Sequence, residues 1–138
     1  MIRQNNNFCN IYIYIYMGIL TDKQQKTLIE FVKFVKKELG LKKVPEIRIE
    51  SNRNHIKTTA NYNYTLPEKI IRVYGKGRAL VDIMRSISHE LVHHKQWEDG
   101  RLEVKPADIG SEEENEANAI AGIMIKKFAL KNPNIYED

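Results

Sequence analysis

Residues 86–97, SISHELVHHKQW, are the stretch that most constrains how this chain can fold. The apolar residues in and before it recur at helical spacing, at Leu80, Met84, Ile87 and Leu91. We predict one helix from Arg78 to about Trp97, with Trp97 in the core at its end. Three of the chain's four histidines lie in this helix, so the apolar stripe determines the direction in which they point.

Two further helices are indicated by capping signals. Thr21 followed by Gln24 forms a capping box, and a glycine stop at Gly40 limits the predicted helix to about 22–39. Ser111 with Glu114 forms a second capping box before the last helix. The apolar stripe of that last helix comprises Ala117, Ile120, Ala121, Met124 and Phe128.

Three segments between the first two helices, at 44–51, 58–65 and 69–75, have the alternation and composition of strands. Their short links favour an antiparallel or mixed three-stranded sheet. The predicted fold class is α+β, with an N-terminal helix, this small sheet, the histidine-bearing helix and a C-terminal helix, the helices packed on one sheet face. We expect residues 17–138 to form a single domain, because the chain leaves no room for a second core.

Residues 1–16 are a doubtful N-terminal extension. The run IYIYIY has apolar residues on both strand faces, which suits a buried strand or no stable structure. Ile-Tyr repeats are also what A/T-rich DNA encodes, so we hypothesise that the natural start is Met17 and that residues 1–16 are translated upstream sequence. If they are part of the protein, we expect them to be poorly ordered or to add an edge strand.

Composition and charge limit the cellular compartments and the partners that we expect for the protein. No apolar run approaches the roughly 20 residues that span a bilayer, and the single cysteine, Cys9, fits a reducing compartment. We therefore expect a cytoplasmic monomer with no membrane partner. Residues 21–85 carry 15 Lys/Arg against 7 Asp/Glu, which could attract nucleic acid, although solvated lysines on a helix face explain the excess better.

His89, Glu90 and His93 match the pattern H-E-x-x-H. Residues four apart lie on one helix face, about 5–6 Å apart at Cβ, so two imidazoles can converge on one ion. Glu90 projects from the neighbouring edge of that face, where it can take a proton from a water that zinc has acidified. The alternative is that the two histidines form a polar helix edge with no metal.

A catalytic zinc normally has a third protein ligand, and the acidic segment 111–122 offers one. We predict Glu116, because it lies past the first turn and next to the core stripe, where a carboxylate needs a cation. The three preceding glutamates are better explained as capping residues that complement the helix dipole. They are Glu112, Glu113 and Glu114.

HELVH with a downstream helix containing NEA resembles the gluzincin zinc metallopeptidases, the clan of thermolysin. Size and element order resemble the minimal gluzincins of the ImmA/IrrE-like type and related phage-encoded peptidase domains, over about residues 44–130. The resemblance implies Zn²⁺ bound by His89, His93 and Glu116, Glu90 as general base, and a peptide or protein substrate. The rival SprT-like proteases use a third histidine ligand, and no histidine follows His94.

The resemblance also implies that an edge strand before the active-site helix pairs with extended substrate. The segment Thr59-Ala60-Asn61-Tyr62 resembles the Ala-x-Tyr pattern of that strand. Ala60, Asn61 and Tyr62 are therefore candidate substrate-binding residues, although a plain tyrosine-rich strand explains the pattern almost as well.

Two supporting roles are not assigned to one residue. Ile120 stands where gluzincins commonly carry a carboxylate that orients a ligand histidine, and Asn115, Asn118 or a backbone carbonyl could replace it. His94 is expected either to support a ligand or to be exposed. The candidates for stabilising the oxyanion are His55, Tyr62, Tyr64 and His94, although His55 is better explained as an exposed loop residue.

Two interpretations compete with the leading hypothesis of a zinc-dependent peptidase. One is a binding or regulatory domain whose zinc is structural or catalytically idle, which the missing acid at position 120 favours. The other is nucleic-acid binding through the basic first half of the chain, which predicts binding that weakens steeply with salt.

Overall fold

The computed structural model describes residues 3–8, 10–53, 59–63, 69–102 and 112–137, the first of these ranges through its backbone alone. Within these ranges the chain forms five strands, three α-helices and a final short 3-10 helix at Pro133–Tyr136. The strands are β1 (Arg3–Phe8), β2 (Ile11–Tyr16), β3 (Glu46–Glu50), β4 (Ala60–Asn63) and β5 (Ile70–Tyr74). The helices are α1 (Asp22–Leu39), α2 (Leu80–Glu98) and α3 (Glu112–Ala129).

Helix α1 begins and ends where its capping residues predict. The Thr21 hydroxyl accepts from the Gln24 backbone N–H, and the Gln24 side chain accepts from the Thr21 backbone N–H, so both halves of the capping box are present. Gly40 ends the helix in the left-handed conformation at φ 66°, which glycine adopts without steric cost. The predicted helix over about 22–39 is confirmed.

The sheet is mixed, with strand order β1-β2-β3-β5-β4. β2 pairs parallel with β3, and β3 pairs parallel with β5. The two outer strands, β1 and β4, run antiparallel to their neighbours. The three predicted strands correspond to β3, β4 and β5, and the predicted α+β class is confirmed. The sheet is larger than the predicted three strands because residues 3–16 contribute two more.

The isoleucine–tyrosine run lies inside the sheet and not at its edge. Ile11, Ile13 and Ile15 are at most 1% exposed, and the Cα of Ile13 is in register with that of Ile47 in β3. Residues 3–8 add the edge strand β1, as one of the two expectations for residues 1–16 stated, and the run IYIYIY forms β2, an internal strand, as its apolar faces allowed. The physical reason is that β3 needs a partner on this side, and three isoleucines on one face complete the core.

All three helices pack on the isoleucine face of the sheet. Ile47, Ile71 and their neighbours share one core cluster with residues of every helix. Within this core the Phe31 ring of α1 packs edge to face against the Phe128 ring of α3, with ring centroids 5.2 Å apart. No helix in the described part of the chain is long and apolar enough to cross a membrane.

Trp97 does not lie in the core as predicted. Its side chain is 38% exposed, its ring stacks on that of His94, and Nζ of Lys69 lies 4.4 Å from its ring centroid. The indole covers the end of α2 from outside, where a nearby ammonium group interacts favourably with its π face.

The burial of β2 yields a stability prediction. Replacing Ile13 by Ala should lower the free energy of unfolding by about 2–5 kcal/mol, because it leaves a cavity in a fully buried site. The same replacement by Ala at Tyr12, on the partly exposed face of the strand, should lower the free energy of unfolding by about 1 kcal/mol or less. Urea unfolding of both variants measures this difference, and equal small losses would show that β2 does not belong to the core.

Candidate metal centre

Helix α2 has a core face and a polar flank. Ile87 and Leu91 are fully buried in the core. His89 and His93 lie one turn apart on the flank beside α3, with ring centroids 4.8 Å apart and planes at 83°. Their side chains are 18% and 12% exposed, so the rings are held by packing and are still accessible to an ion from solvent.

The first turn of α3 contributes a carboxylate between the two imidazoles. Glu114 places Oε1 2.8 Å from Nε2 of His89 and Oε2 3.0 Å from Nε2 of His93. One ligand atom from each residue lies within 4.8 Å of the other two. Two imidazole nitrogens and one glutamate are a donor set found in catalytic zinc sites. His89, His93 and Glu114 can therefore hold a metal ion.

Gln96 determines which nitrogen of His93 carries a proton. Its side chain is fully buried, and its Nε2 donates to the backbone oxygen of Glu113 and to Oε1 of Glu116, both at 3.0 Å. The amide orientation is thereby fixed, so Oε1 is the acceptor in the 2.8 Å contact with Nδ1 of His93. Nδ1 is the protonated nitrogen, and Nε2 carries the lone pair of the neutral ring.

This tautomer places two electron-rich atoms against each other. The lone pair of Nε2 in neutral His93 points at Oε2 of Glu114 from 3.0 Å, and two acceptors at this distance repel. The contact becomes favourable when a positive charge joins the pair, either a proton on Nε2 or a metal ion between the atoms. Burial, as the largest influence, lowers the pKa of His89, which favours the neutral imidazole that a metal requires.

Asn118 supports the second histidine. Its side chain hydrogen-bonds to the His89 imidazole, and it lies four residues after Glu114, on the same face of α3. This is the spacing at which the gluzincins of the resemblance carry a histidine-orienting carboxylate. With Glu114 in the cluster, the residue four positions after the carboxylate is Asn118 and not Ile120. Asn115 and Asn118 are both exposed, and it is Asn118 whose side chain bonds to His89.

The structure does not bring Glu116 into the His89/His93 cluster. Its carboxylate accepts hydrogen bonds from both terminal nitrogens of Arg101, at 2.7 and 3.2 Å, and from Gln96. These hydrogen bonds, led by that of Arg101, hold the pKa of Glu116 below its usual range. Glu116 is thus linked to His93 through Gln96, and the carboxylate beside the histidines belongs to Glu114.

Glu114 lies in the acidic first turn of α3, as predicted, but the sequence analysis did not foresee that it also faces the histidines, although a sequence signal indicates it. Glu114 lies three residues before Ala117 and seven before Ala121, both fully buried, so it extends the core stripe of α3 by one turn. Glu116 is one residue from Ala117, about 100° round the helix. The proposed capping partner, Ser111, lies outside the described residues.

Glu90 lies next to His89 in the chain and is 7% exposed. Burial, and then the negative charge of Glu114, raise the pKa of Glu90 to about 8. A carboxyl group with a pKa near neutral can accept and return a proton at physiological pH. A cation held by His89, His93 and Glu114 would favour the ionised form of Glu90 and lower this pKa.

His94 belongs to a separate buried network and is not exposed. Its Nε2 lies 3.0 Å from Oε2 of Glu98, and the Glu98 carboxylate also accepts from the backbone N–H groups of Lys42 and Lys43. Because a carboxylate only accepts, Nε2 carries the proton in the neutral ring, and Nδ1 accepts from the Tyr62 hydroxyl at 2.6 Å. The network links the end of α2 to β4 and to the segment before β3.

The predicted edge strand is confirmed as β4, the last strand of the sheet. Ala60, Asn61 and Tyr62 are partly buried in it, and their role in binding substrate stays a prediction. Two oxyanion candidates of the sequence analysis, His55 and Tyr64, lie outside the described residues.

Comparison with protein-family models, with curated proteins and with solved structures finds no match for this chain.

The cluster makes a direct prediction about metal content. Protein purified without added metal should carry about one zinc per chain, and Glu114→Ala should lose most of it because one of three ligands is gone. Glu116→Ala should keep the ion, with affinity reduced by about 10–100-fold, since its effect passes through Gln96. Plasma mass spectrometry measures both, and loss of zinc in Glu116→Ala with retention in Glu114→Ala would reverse the assignment.

The buried carboxyl of Glu90 predicts a pH dependence for the metal-free protein. Because folding raises the pKa of Glu90 from 4.5 to about 8, its contribution to stability is fully present below pH 4.5 and declines as pH rises through 8. Glu90→Gln should abolish that decline. Urea unfolding in chelator between pH 5 and 8 tests this, with Glu30→Gln as exposed control; identical profiles for wild type and Glu90→Gln would contradict it.

Proposed function

We propose that this protein is a zinc-dependent peptidase of gluzincin type. The observation that carries the proposal is the convergence of His89 Nε2, His93 Nε2 and the Glu114 carboxylate, with the buried Glu90 beside them in α2. An H-E-x-x-H helix alone supplies two ligands and a base. The carboxylate from α3 completes a ligand set that leaves a further position open for water or substrate.

His89, His93 and Glu114 would hold the ion, and this mixed nitrogen and oxygen donor set suits zinc. When bound, zinc supplies Lewis acidity, which polarises a peptide carbonyl and acidifies water. The protein contributes preorganisation. Gln96 holds the His93 ring with Nε2 available, and Asn118 holds the His89 ring, so neither imidazole must reorient when the site is filled.

Glu90 moves the proton in this proposal. Its carboxylate takes a proton from the attacking water and later returns it to the amine released from the cleaved peptide bond. Its low exposure suits this role, because a carboxylate removed from bulk water is a stronger base than a solvated one. A glutamine at this position keeps the shape of the side chain and removes the basic oxygen.

The edge strand β4 is the proposed support for an extended peptide. The Tyr62–His94–Glu98 network holds this strand against α2, the helix that carries the histidines. Because the Tyr62 hydroxyl donates its proton to His94, we assign Tyr62 a positioning role and not that of oxyanion donor. The substrate is then a peptide or protein segment that pairs its backbone with β4. The expected setting remains a cytoplasmic monomer.

A zinc-binding domain without peptidase activity is the second candidate function. The observation that favours it is the amide of Asn118 at the place where the related family commonly has a carboxylate. An amide orients the His89 ring but does not raise the basicity of the ligand as a negative charge does. The two candidate functions predict different effects of replacing Glu90.

Loss of Glu90 separates these functions. Zinc-loaded wild type should cleave members of a peptide library of mixed sequence, whereas Glu90→Gln should bind the same zinc and cleave about 10²–10⁴-fold more slowly. Glu30→Gln is the matched control and should cleave like wild type. Mass spectrometry of the peptide products measures the cleavage. Equal cleavage by wild type and Glu90→Gln would contradict the proposed base, and no cleavage by either with zinc bound would favour the second candidate.

A further inference from the structure

The face of the sheet opposite the helices carries a regular set of aromatic and guanidinium side chains. Along β2 the three isoleucines point into the core, so Tyr12, Tyr14 and Tyr16 project from the other face. Tyr12 is 39% exposed, and the other two are half-buried. A strand with tyrosine at every outward position gives this face a row of rings about 6.5–7 Å apart, twice the rise per residue.

Arginines from the next two strands continue the face beside these tyrosines. The Cα atoms of Tyr14, Arg48, Arg72 and Asn61 are in register across β2, β3, β5 and β4. The Arg48 guanidinium lies over the Tyr14 ring, 5.9 Å from its centroid. We call Tyr12, Tyr14, Tyr16, Arg48, Arg72 and Tyr74 the tyrosine–arginine face.

A third guanidinium lies at the end of this face. The Arg53 side chain is positioned over the Tyr74 ring, with Cζ 4.5 Å from its centroid. Cation–π contacts of this kind order both the ring and the charge. The face therefore has tyrosine–guanidinium pairs in two places, on β2 with β3 and at the end of β5.

Among the described side chains of this face and its end, three arginines stand against two glutamates, and Arg48 and Glu46 are similarly exposed, at 31% and 28%. Glu46 and Glu50 bond to Arg48 and Arg72 and hold their guanidinium groups in place. The Glu50 side chain is only 8% exposed, whereas that of Arg72 is 24% exposed, so the arginine is the accessible member of this pair. Arg53 is exposed and adds a further positive charge.

We propose that the tyrosine–arginine face binds a single-stranded nucleic acid. Unstacked bases offer faces that stack on tyrosine rings and guanidinium planes, and arginine nitrogens bond phosphate oxygens. A duplex keeps its bases stacked on one another, so its rings are not available to the tyrosines. This inference does not depend on the metal centre, which lies among the helices on the other side of the sheet.

Fluorescence anisotropy with a labelled oligothymidylate of about 12 nucleotides, and with the matching oligouridylate, tests the proposal. Wild type should bind at least one of them with an affinity that falls with salt. Tyr14→Thr, which keeps a strand-forming residue, and Arg48→Gln should each weaken binding about tenfold. The matched controls are Tyr136→Thr and Arg85→Gln, exposed residues of the final 3-10 helix and of α2, and they should bind like wild type. Circular dichroism confirms that each variant is folded.

Several outcomes would overturn the proposal. No binding of either oligonucleotide at low salt would exclude it, as would equal losses in the Tyr14 and Tyr136 variants. Equally tight binding of a duplex would show that charge alone attracts nucleic acid. A concentration-dependent dimer of wild type that Tyr14→Thr abolishes, without oligonucleotide binding, would assign the face to a second copy of the chain. Zinc content should be unchanged in all four variants, so failure here leaves the peptidase proposal intact.

Discussion

The packing of the first turns of α3 against the second half of α2 is the interaction on which the candidate metal centre depends. Gln96 lies fully buried at this contact and bonds at once to His93, to the backbone of Glu113 and to Glu116. One side chain thereby fixes the rotation of α3 and the tautomer of His93. The sequence pattern in α2 provides the histidines, but the contact between the helices makes them a site.

The same contact between α2 and α3 brings negative charges and hydrogen-bond acceptors together in a place that is largely removed from water. Glu114 lies close enough to Glu90 for its negative charge to disfavour ionisation of Glu90, and His93 presents a lone pair to a carboxylate oxygen of Glu114. Arg101 forms its ion pair with Glu116, which lies outside the group formed by Glu90, Glu114 and His93. A divalent ion would satisfy the acceptors together, so metal binding and the stability of the helix pair should be coupled.

Much of the fold and half of the site were predictable because local signals carry them. The capping box at Thr21, the glycine stop at Gly40 and the stripe of α2 each act within a few residues, and they place His89, Glu90 and His93 correctly in a helix. The choice between Glu114 and Glu116 depends on the rotation of α3 about its axis, which long-range packing determines. The run that forms β2 was compatible with a buried strand but was not placed in the sheet, because a run apolar on both faces does not show which residues are buried, and its pairing with β3 is a long-range contact.

The central claim is that His89, His93 and Glu114 bind one metal ion. A crystal structure with diffraction data collected on both sides of the zinc absorption edge tests it most directly. We predict one anomalous peak about 2.0–2.2 Å from Nε2 of both histidines and from a Glu114 oxygen, with Glu116 still bound to Arg101. A peak bonded to Glu116, or no peak in a well-ordered His89/His93/Glu114 cluster after soaking with zinc, would contradict it.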